Sequence, residues 1–252
     1  MDLNNKVVIV TGGGTGVGLA TARRYVECGA RVILASRDTN RADKVAATLG
    51  RDRAEAVHLD VSNPDAVKAM MEDIAERYGR IDVLVNNAGV HIAGTIVECS
   101  IEDWRKIAGV DVDGVIFCSK FAMPYLLKSK GNIVNVASVS GLGGDWGAAF
   151  YCAAKGAVVN LTRAMALDHG GEGVRVNAVC PSLINTNMTN GWPQDVRDRF
   201  NERIALGRAA EPEEIANVIV FLSGPLACFI NGANVAVDGG ATASNGQPKI
   251  TH

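Results

Sequence analysis

Short runs of Val, Ile and Ala alternate along the chain with longer stretches in which apolar positions recur every three or four residues. The short runs predict strands at Lys6–Val10, Arg31–Ala35, Glu55–Leu59, Ile81–Val85, Asn132–Val136, Val174–Val179 and Asn234–Val237. Helical spacing covers Gly16–Cys28, Arg41–Leu49, Pro64–Tyr78, a long region Ile101–Lys128, then Phe150–Asp168, Gln194–Ile204 and Glu213–Leu222. The strands are apolar throughout rather than alternating, as expected where both faces of a sheet are covered. Strand–helix alternation at this spacing predicts an α/β protein: a single-domain, doubly wound Rossmann fold, with a parallel sheet of about seven strands and helices on both faces. No Pro/Gly-rich linker or repeat breaks the pattern. Residues 1–240 are therefore expected to form one dinucleotide-binding and catalytic domain, and 241–252 a C-terminal tail.

The first strand runs into Thr11-Gly12-Gly13-Gly14-Thr15-Gly16-Val17-Gly18, where a helix begins. Glycines allow a tight turn and close approach of backbone to a ligand, and a helix N-terminus offers unpaired N–H groups to a pyrophosphate. The spacing of Gly12, Gly16 and Gly18 is G-x-x-x-G-x-G rather than the commoner G-x-G-x-x-G. The second strand ends at Ser36-Arg37. An acid here would bind a ribose 2′-hydroxyl, whereas an Arg accommodates a 2′-phosphate. NADP(H) is favoured on this ground; a surface pairing of Arg37 with Asp38 would leave NAD(H) open.

Tyr151 and Lys155 fall four apart at the start of a helical stretch and so share one helix face. Free tyrosine titrates near 10, and an adjacent ammonium favours the phenolate, which is what acid–base work near neutral pH requires of a phenol. Ser138 lies just past the Asn132–Val136 strand, at the carboxyl edge where ligands bind in open α/β sheets, and its hydroxyl can donate to a substrate oxygen.

Composition narrows the picture. The 252 residues are 48% hydrophobic and 21% charged, ordinary for a globular enzyme. A net charge of −2 without basic runs argues against nucleic acid or anionic membrane as partner. The N-terminus lacks a signal-peptide pattern and no stretch is apolar enough to span a bilayer, so a cytoplasmic protein is expected. Six scattered cysteines lack the clustering of a disulfide framework or zinc site, and no metal is expected.

Taken together, the Thr11–Gly18 turn, Asp60-Val61, Asn86-Asn87-Ala88-Gly89, Ser138, Tyr151/Lys155 and Val237-Asp238-Gly239-Gly240 resemble the short-chain dehydrogenase/reductase family, from Thr11 to Gly240. The resemblance implies hydride transfer between a nicotinamide dinucleotide and a carbonyl or secondary alcohol. It implies that Ser138 holds the substrate oxygen, Tyr151 moves the proton, and Lys155 tunes Tyr151 and holds the nicotinamide ribose. Asp60 would contact adenine with Val61 beside it, Asn87, Ala88 and Gly89 would support the cofactor, and Pro181, Ile184, Thr186 and Met188 would close over the nicotinamide carboxamide. Two positions depart from the family: Ser182 stands where a Gly usually follows the proline, and Asp111 where an Asn carries a water relay to the Lys. Asp111 is thus a fourth catalytic candidate.

The segments Gly109–Gly114, Gly141–Ala149 and Asn185–Pro193 further resemble the branch of the family that interconverts acetoin or diacetyl with 2,3-butanediol. That branch is associated with NAD and an acid after the second strand, which Ser36-Arg37 does not supply. Around the carbonyl site, Ser140, Trp146 and Trp192 are expected in the pocket, with Phe150 and Met188 as further apolar wall and His91 at its mouth. Such enzymes commonly assemble as homotetramers; the tail is expected to cross to a neighbouring subunit and bring Gln247 near its pocket. Two alternatives remain: a 3-oxoacyl-thioester reductase, for which Lys128 and Lys130 offer a thin docking patch, and a dinucleotide-sensing protein without catalysis.

Overall fold

The computed structural model describes residues 2–247 and forms one sheet of seven parallel strands. These are β1 (Val7–Thr11), β2 (Arg31–Ser36), β3 (Ala54–His58), β4 (Val83–Asn86), β5 (Asn132–Val136), β6 (Arg175–Pro181) and β7 (Asn234–Val237). Across the sheet they run β3-β2-β1-β4-β5-β6-β7. The order reverses between β1 and β4, so a crevice opens at their carboxyl ends.

Among the described residues there are eight α-helices, α1 (Gly16–Glu27), α2 (Thr39–Leu49), α3 (Pro64–Tyr78), α4 (Ile101–Ala108), α5 (Gly114–Ser129), α6 (Ala149–Gly170), α7 (Gln194–Arg203) and α8 (Pro212–Ser223), and helices pack on both faces of the sheet. Alternate strand residues feed two separate cores. Ile9, Ile33, Leu84 and Ile133 pack with Met71 and Ile74 of α3 and Leu126 of α5. Val8, Val10, Leu34, Val85 and Val179 pack on the opposite face with Tyr25 of α1, Ala42 of α2 and Ile219 of α8. This is why the strands read as unbroken apolar runs.

The long helical region expected at Ile101–Lys128 is interrupted. Between α4 and α5 the chain makes a π-helical turn, Gly109–Asp113. A π turn admits an extra residue and re-aims the side chains around it. Here it leaves Asp111 buried. Gly114 follows, and a Cβ there would come within 2.7 Å of the Val61 side chain, so the turn packs tightly against the chain after β3.

A buried polar chain sets the depth of α6 against the sheet. Asn86 donates to Asn135 at 2.9 Å and to Ser119 at 3.0 Å, and Asn135 donates to Thr162 of α6 at 2.8 Å. Thr162 in turn donates to the Val158 carbonyl at 2.8 Å. Unpaired buried amides are costly, so this chain fixes the helix at one position relative to β4 and β5.

At the opposite strand ends, buried Asp82 accepts from Lys6 at 3.0 Å, from Arg80 at 2.7 Å and from the Val7 N–H at 3.0 Å. Burial alone would raise its carboxyl, but these donors outweigh burial and hold it below the ordinary carboxylate value. A group depressed in the folded state stabilises above its unfolded pKa and loses that contribution as pH falls. Asp82→Asn should cost about 2–3 kcal/mol near pH 7, less than a fully buried pair because Lys6 and Arg80 keep contact with water. Thermal melts should show Tm lowered by roughly 4–12 °C, with the gap from wild type closing below about pH 4.

Candidate active site

The crevice at the β1–β4 switch point is a cleft of about 220 Å³ lined by Gly12, Gly14, Thr15, Ser36, Arg37, Asp38, Arg41, Asp60, Val61, Ala88 and Gly89, among others. Gly12 and Gly16 adopt φ of +65° and +50°, a conformation that favours glycine. A Cβ on Gly18 would lie 2.3 Å from the Gly12 carbonyl oxygen, so this glycine lets α1 close onto the turn. Thr15 precedes α1 and makes no side-chain cap, which leaves the first N–H groups of the helix open beside the cleft that Thr15 lines. An anionic pyrophosphate fits that donor set.

Asn87 holds the turn from behind. Its amide donates to the Thr11 carbonyl at 2.8 Å, while its own N–H and that of Ala88 donate to the Thr11 hydroxyl at 2.9 and 3.0 Å. At the far end of the cleft, Asp60 accepts from the Ser62 hydroxyl at 2.7 Å and from its N–H at 3.0 Å, and these bonds hold its carboxyl below the usual value. Asp38 caps α2 by accepting from the Arg41 N–H at 3.0 Å and pairs with the Arg41 guanidinium at 3.5 Å. Arg37 has no ion-pair partner among the described residues.

Below the cleft lies the second cluster. Lys155 and Asp111 are both buried, with Nζ 3.0 Å from the carboxylate. The ammonium also donates to the Val136 carbonyl at 3.1 Å, and Asp111 Oδ1 accepts from the Val90 N–H at 2.8 Å. Burial pushes Lys155 down, but the Asp111 carboxylate and the Tyr151 phenol more than offset it, so the ammonium is held above its ordinary value. Lys155 Nζ lies 5.5 Å from the Tyr151 ring centroid. Gly89, which lines the cleft, sits over the pair: a Cβ there would be 3.1 Å from Asp111 and 3.4 Å from Lys155. The glycine turn's cleft and the Tyr–Lys face therefore meet at Gly89.

Ser138 is buried at the end of β5. Its hydroxyl donates to Ser140 at 3.2 Å, and Ser140 donates to Asp145 at 3.1 Å. The Ser140 N–H donates back to the Ser138 oxygen at 3.1 Å. The imidazole of His91 stands edge-on to Tyr151, ring centroids 4.9 Å apart, and 6.4 Å from Trp192.

Residues 12–242 match the family model described as enoyl-(acyl carrier protein) reductase. The chain is 70% identical over 250 residues to meso-2,3-butanediol dehydrogenase of Serratia marcescens, covering 99% of this chain and 100% of that protein. The chain belongs to the short-chain dehydrogenase/reductase family. It is also 42% identical to cis-4-hydroxycyclohexanecarboxylate dehydrogenase of Sinomonas cyclohexanicum, across 94% of this chain and 97% of that one. The crystal structure of gox2181 superposes with a TM-score of 0.94 at 32% identity, covering 96% and 98% of the two chains. The protein is thus an oxidoreductase acting on CH–OH groups with a nicotinamide dinucleotide as cofactor.

As a short-chain dehydrogenase/reductase, the chain places most of the expected residues together, with some differences of role. Gly12, Thr15, Ser36, Arg37, Asp60, Val61, Ala88 and Gly89 line the cleft, while Val17, Gly18 and Asn87 build it from behind. Thr186 faces the turn, its methyl 3.2 Å from where a Gly16 Cβ would stand. Pro181 ends β6 and Ile184 bridges to Ala210, so both anchor the Thr186 segment; Met188 is exposed. Ser182, the departure from the family's glycine, donates to the Asp238 carbonyl at 3.0 Å and so ties that segment to the end of β7.

The aromatic wall differs from expectation. Trp146 is 88% exposed and forms no wall, and Phe150 packs on Trp104 instead. The expected Trp192 does stand near Tyr151, resting on Phe200, with His91 between the two rings. Gln247 is exposed, bonded through its N–H to Asn245; the end of the tail, 248–252, lies outside the described residues. Arg41 was not anticipated; its place one turn into α2 brings it to the cleft, a signal visible only once Asp38 is seen as a cap.

Removing the Asp111 carboxylate would strand a buried ammonium. Asp111→Ala should therefore lower stability by about 3–5 kcal/mol, whereas Asp111→Asn, which keeps an acceptor for the Val90 N–H, should lose less. Paired thermal or denaturant melts of the two variants check this order.

Proposed function

We propose that this enzyme interconverts a small vicinal ketol or diketone with the corresponding diol, acetoin or diacetyl with 2,3-butanediol. The observation that carries the catalytic reading is the buried Lys155 lying beneath the Tyr151 ring where the dinucleotide cleft meets Gly89. Near-complete coverage of a relative named for meso-2,3-butanediol supports the substrate.

When bound, the nicotinamide supplies or accepts the hydride. In reduction, the Ser138 hydroxyl turns from Ser140 toward the carbonyl oxygen, and the Ser140 N–H, donating to Ser138 Oγ, favours that donation. Tyr151 transfers its phenolic proton to the same oxygen as hydride reaches the carbon, giving the alcohol. The Lys155 ammonium stabilises the phenolate left behind. An ammonium has three N–H donors; one goes to the Val136 carbonyl, and with Asp111 paired alongside at 3.0 Å a donor is left for a ribose hydroxyl. Where the family uses an Asn and a water, the Asp111 carboxylate grips Lys155 directly and keeps it charged. Oxidation runs the same steps in reverse.

The favoured cofactor is NADP(H), with NAD(H) the alternative. Asp38 is spent on capping α2 and on Arg41, and Asp60 on Ser62, while the Arg37 guanidinium is left for a 2′-phosphate. The carrier-protein reading is weaker: Lys128 and Lys130 end α5 beside the start of β5, a strand length of roughly 17 Å from its carboxyl edge. Six unpaired thiols suit a reducing cytoplasm. Two separate apolar surface features support a homotetramer: a groove of about 490 Å³ lined by Ile116, Met123, Leu127 and Leu161, and the exposed Leu226 and Phe229 on the segment between α8 and β7. In that assembly the tail carries Gln247 toward a neighbouring pocket.

Tyr151→Phe should lower kcat by about 10²–10⁴-fold for acetoin reduction, with dinucleotide affinity nearly intact by fluorescence titration; near-native turnover would refute the role. Arg37→Ala should weaken NADP(H) by about 1.5–3 kcal/mol and leave NAD(H) little changed; equal losses would overturn the cofactor preference.

A further inference from the structure

His91 is a polar ring beside the reacting phenol that the mechanism above does not use. It lies two residues past Gly89, on a segment pinned where the Val90 N–H donates to Asp111 at 2.8 Å. The loop it begins is tied to the loop after Ser138: the Gly94 N–H donates to the Gly147 carbonyl at 2.7 Å. His91 is therefore positioned from two sides. Its ring packs edge-on against Tyr151 and faces Trp192, and neither of its nitrogens has a hydrogen-bond partner among the described residues.

Burial holds the imidazole below its ordinary value, against the opposing pull of Asp145 and Asp111. A neutral imidazole offers one N–H donor and one acceptor nitrogen. Three other polar side chains near Tyr151 are already engaged. Ser138 is assigned to the reacting oxygen, Ser140 donates to Asp145, and Lys155 is held by Asp111 and Val136. Trp192 stands beside the imidazole, 6.4 Å between ring centroids, with its own ring packed on Phe200.

We propose that His91 is the specificity-determining residue that hydrogen-bonds the second oxygen of a vicinal ketol or diol, the one on the carbon next to the reacting carbon. This rests on the substrate reading given above. The oxygen of a ketol hydroxyl can accept from the imidazole N–H, or its O–H can donate a hydrogen bond to the bare nitrogen, so the same ring serves ketol and diol. A simple ketone leaves that ring unsatisfied in a half-buried corner, and a site built to bond a hydroxyl discriminates against the analogue that lacks it.

The test compares acetoin with 2-butanone, which differ by one hydroxyl, in wild type, His91→Phe and His91→Asn. Phe keeps a ring against Tyr151 without polar atoms, and Asn keeps a donor and an acceptor without the ring. The ratio of kcat/KM for acetoin over 2-butanone should fall tenfold or more in His91→Phe and be partly restored in His91→Asn. Melting temperature and dinucleotide affinity, measured on the same proteins, report whether fold and cleft are intact. A ratio unchanged in His91→Phe, or both substrates lost in equal proportion, would overturn the assignment while leaving the substrate reading in place. Wild-type enzyme that reduces 2-butanone as well as acetoin, or neither, would overturn the substrate reading and the assignment with it.

Discussion

An ammonium taken out of water is tolerable only where other groups replace its hydration, and Lys155 is such a group. Its neighbours are the Asp111 carboxylate and the Val136 carbonyl. Each comes from a different element. Asp111 is delivered by the π-helical turn, Val136 by the end of β5, and Lys155 by the first turns of α6. Satisfying the one charge thus fixes three elements relative to each other. The Asn86–Asn135–Thr162 chain repeats that constraint one layer deeper. Tyr151 inherits its position from this arrangement, since it sits one turn before Lys155 on the same helix.

The cleft follows a different logic. Its wall is backbone, and it works by withholding partners. α1 starts without a side-chain cap, and the glycines remove Cβ atoms that would collide with Gly12 and fill the turn. Thr11 and Asn87 then lock the turn to the end of β4, so the open donors point in a fixed direction. At its far end the wall is charged: both nearby carboxylates are occupied by local hydrogen bonds, and Arg37 and Arg41 line the cleft beside them.

On the substrate side, the loops after β4 and β5 are stitched together through Gly94, Gly147 and Ala149. Beside them the rings of Tyr151, His91 and Trp192 form a corner. A corner made of rings with a few polar tips suits a small molecule with two oxygens close together better than a long acyl chain. Ser182 adds a tie of its own, joining the segment that faces Gly16 to the end of β7.

Periodicity and residue type determined the layered parallel sheet, the glycine turn, and the pairing of Tyr151 with Lys155, because each is encoded locally, in a run of apolar strand positions or a four-residue helical repeat. Asn132–Val136 and Pro64–Tyr78 follow the pattern to the residue. Tertiary structure alone decided the break at Gly109–Asp113, since a π turn keeps near-helical spacing in the sequence and here Asp111 meets Lys155 and the Val90 N–H across the fold. It decided that Trp146 faces solvent while His91 reaches Tyr151, because the apolar character of a loop residue does not say which way the loop folds. It also decided that Asp38 serves Arg41 rather than Arg37, since capping a helix and pairing a neighbour compete for one carboxylate and only the path of the backbone settles which prevails.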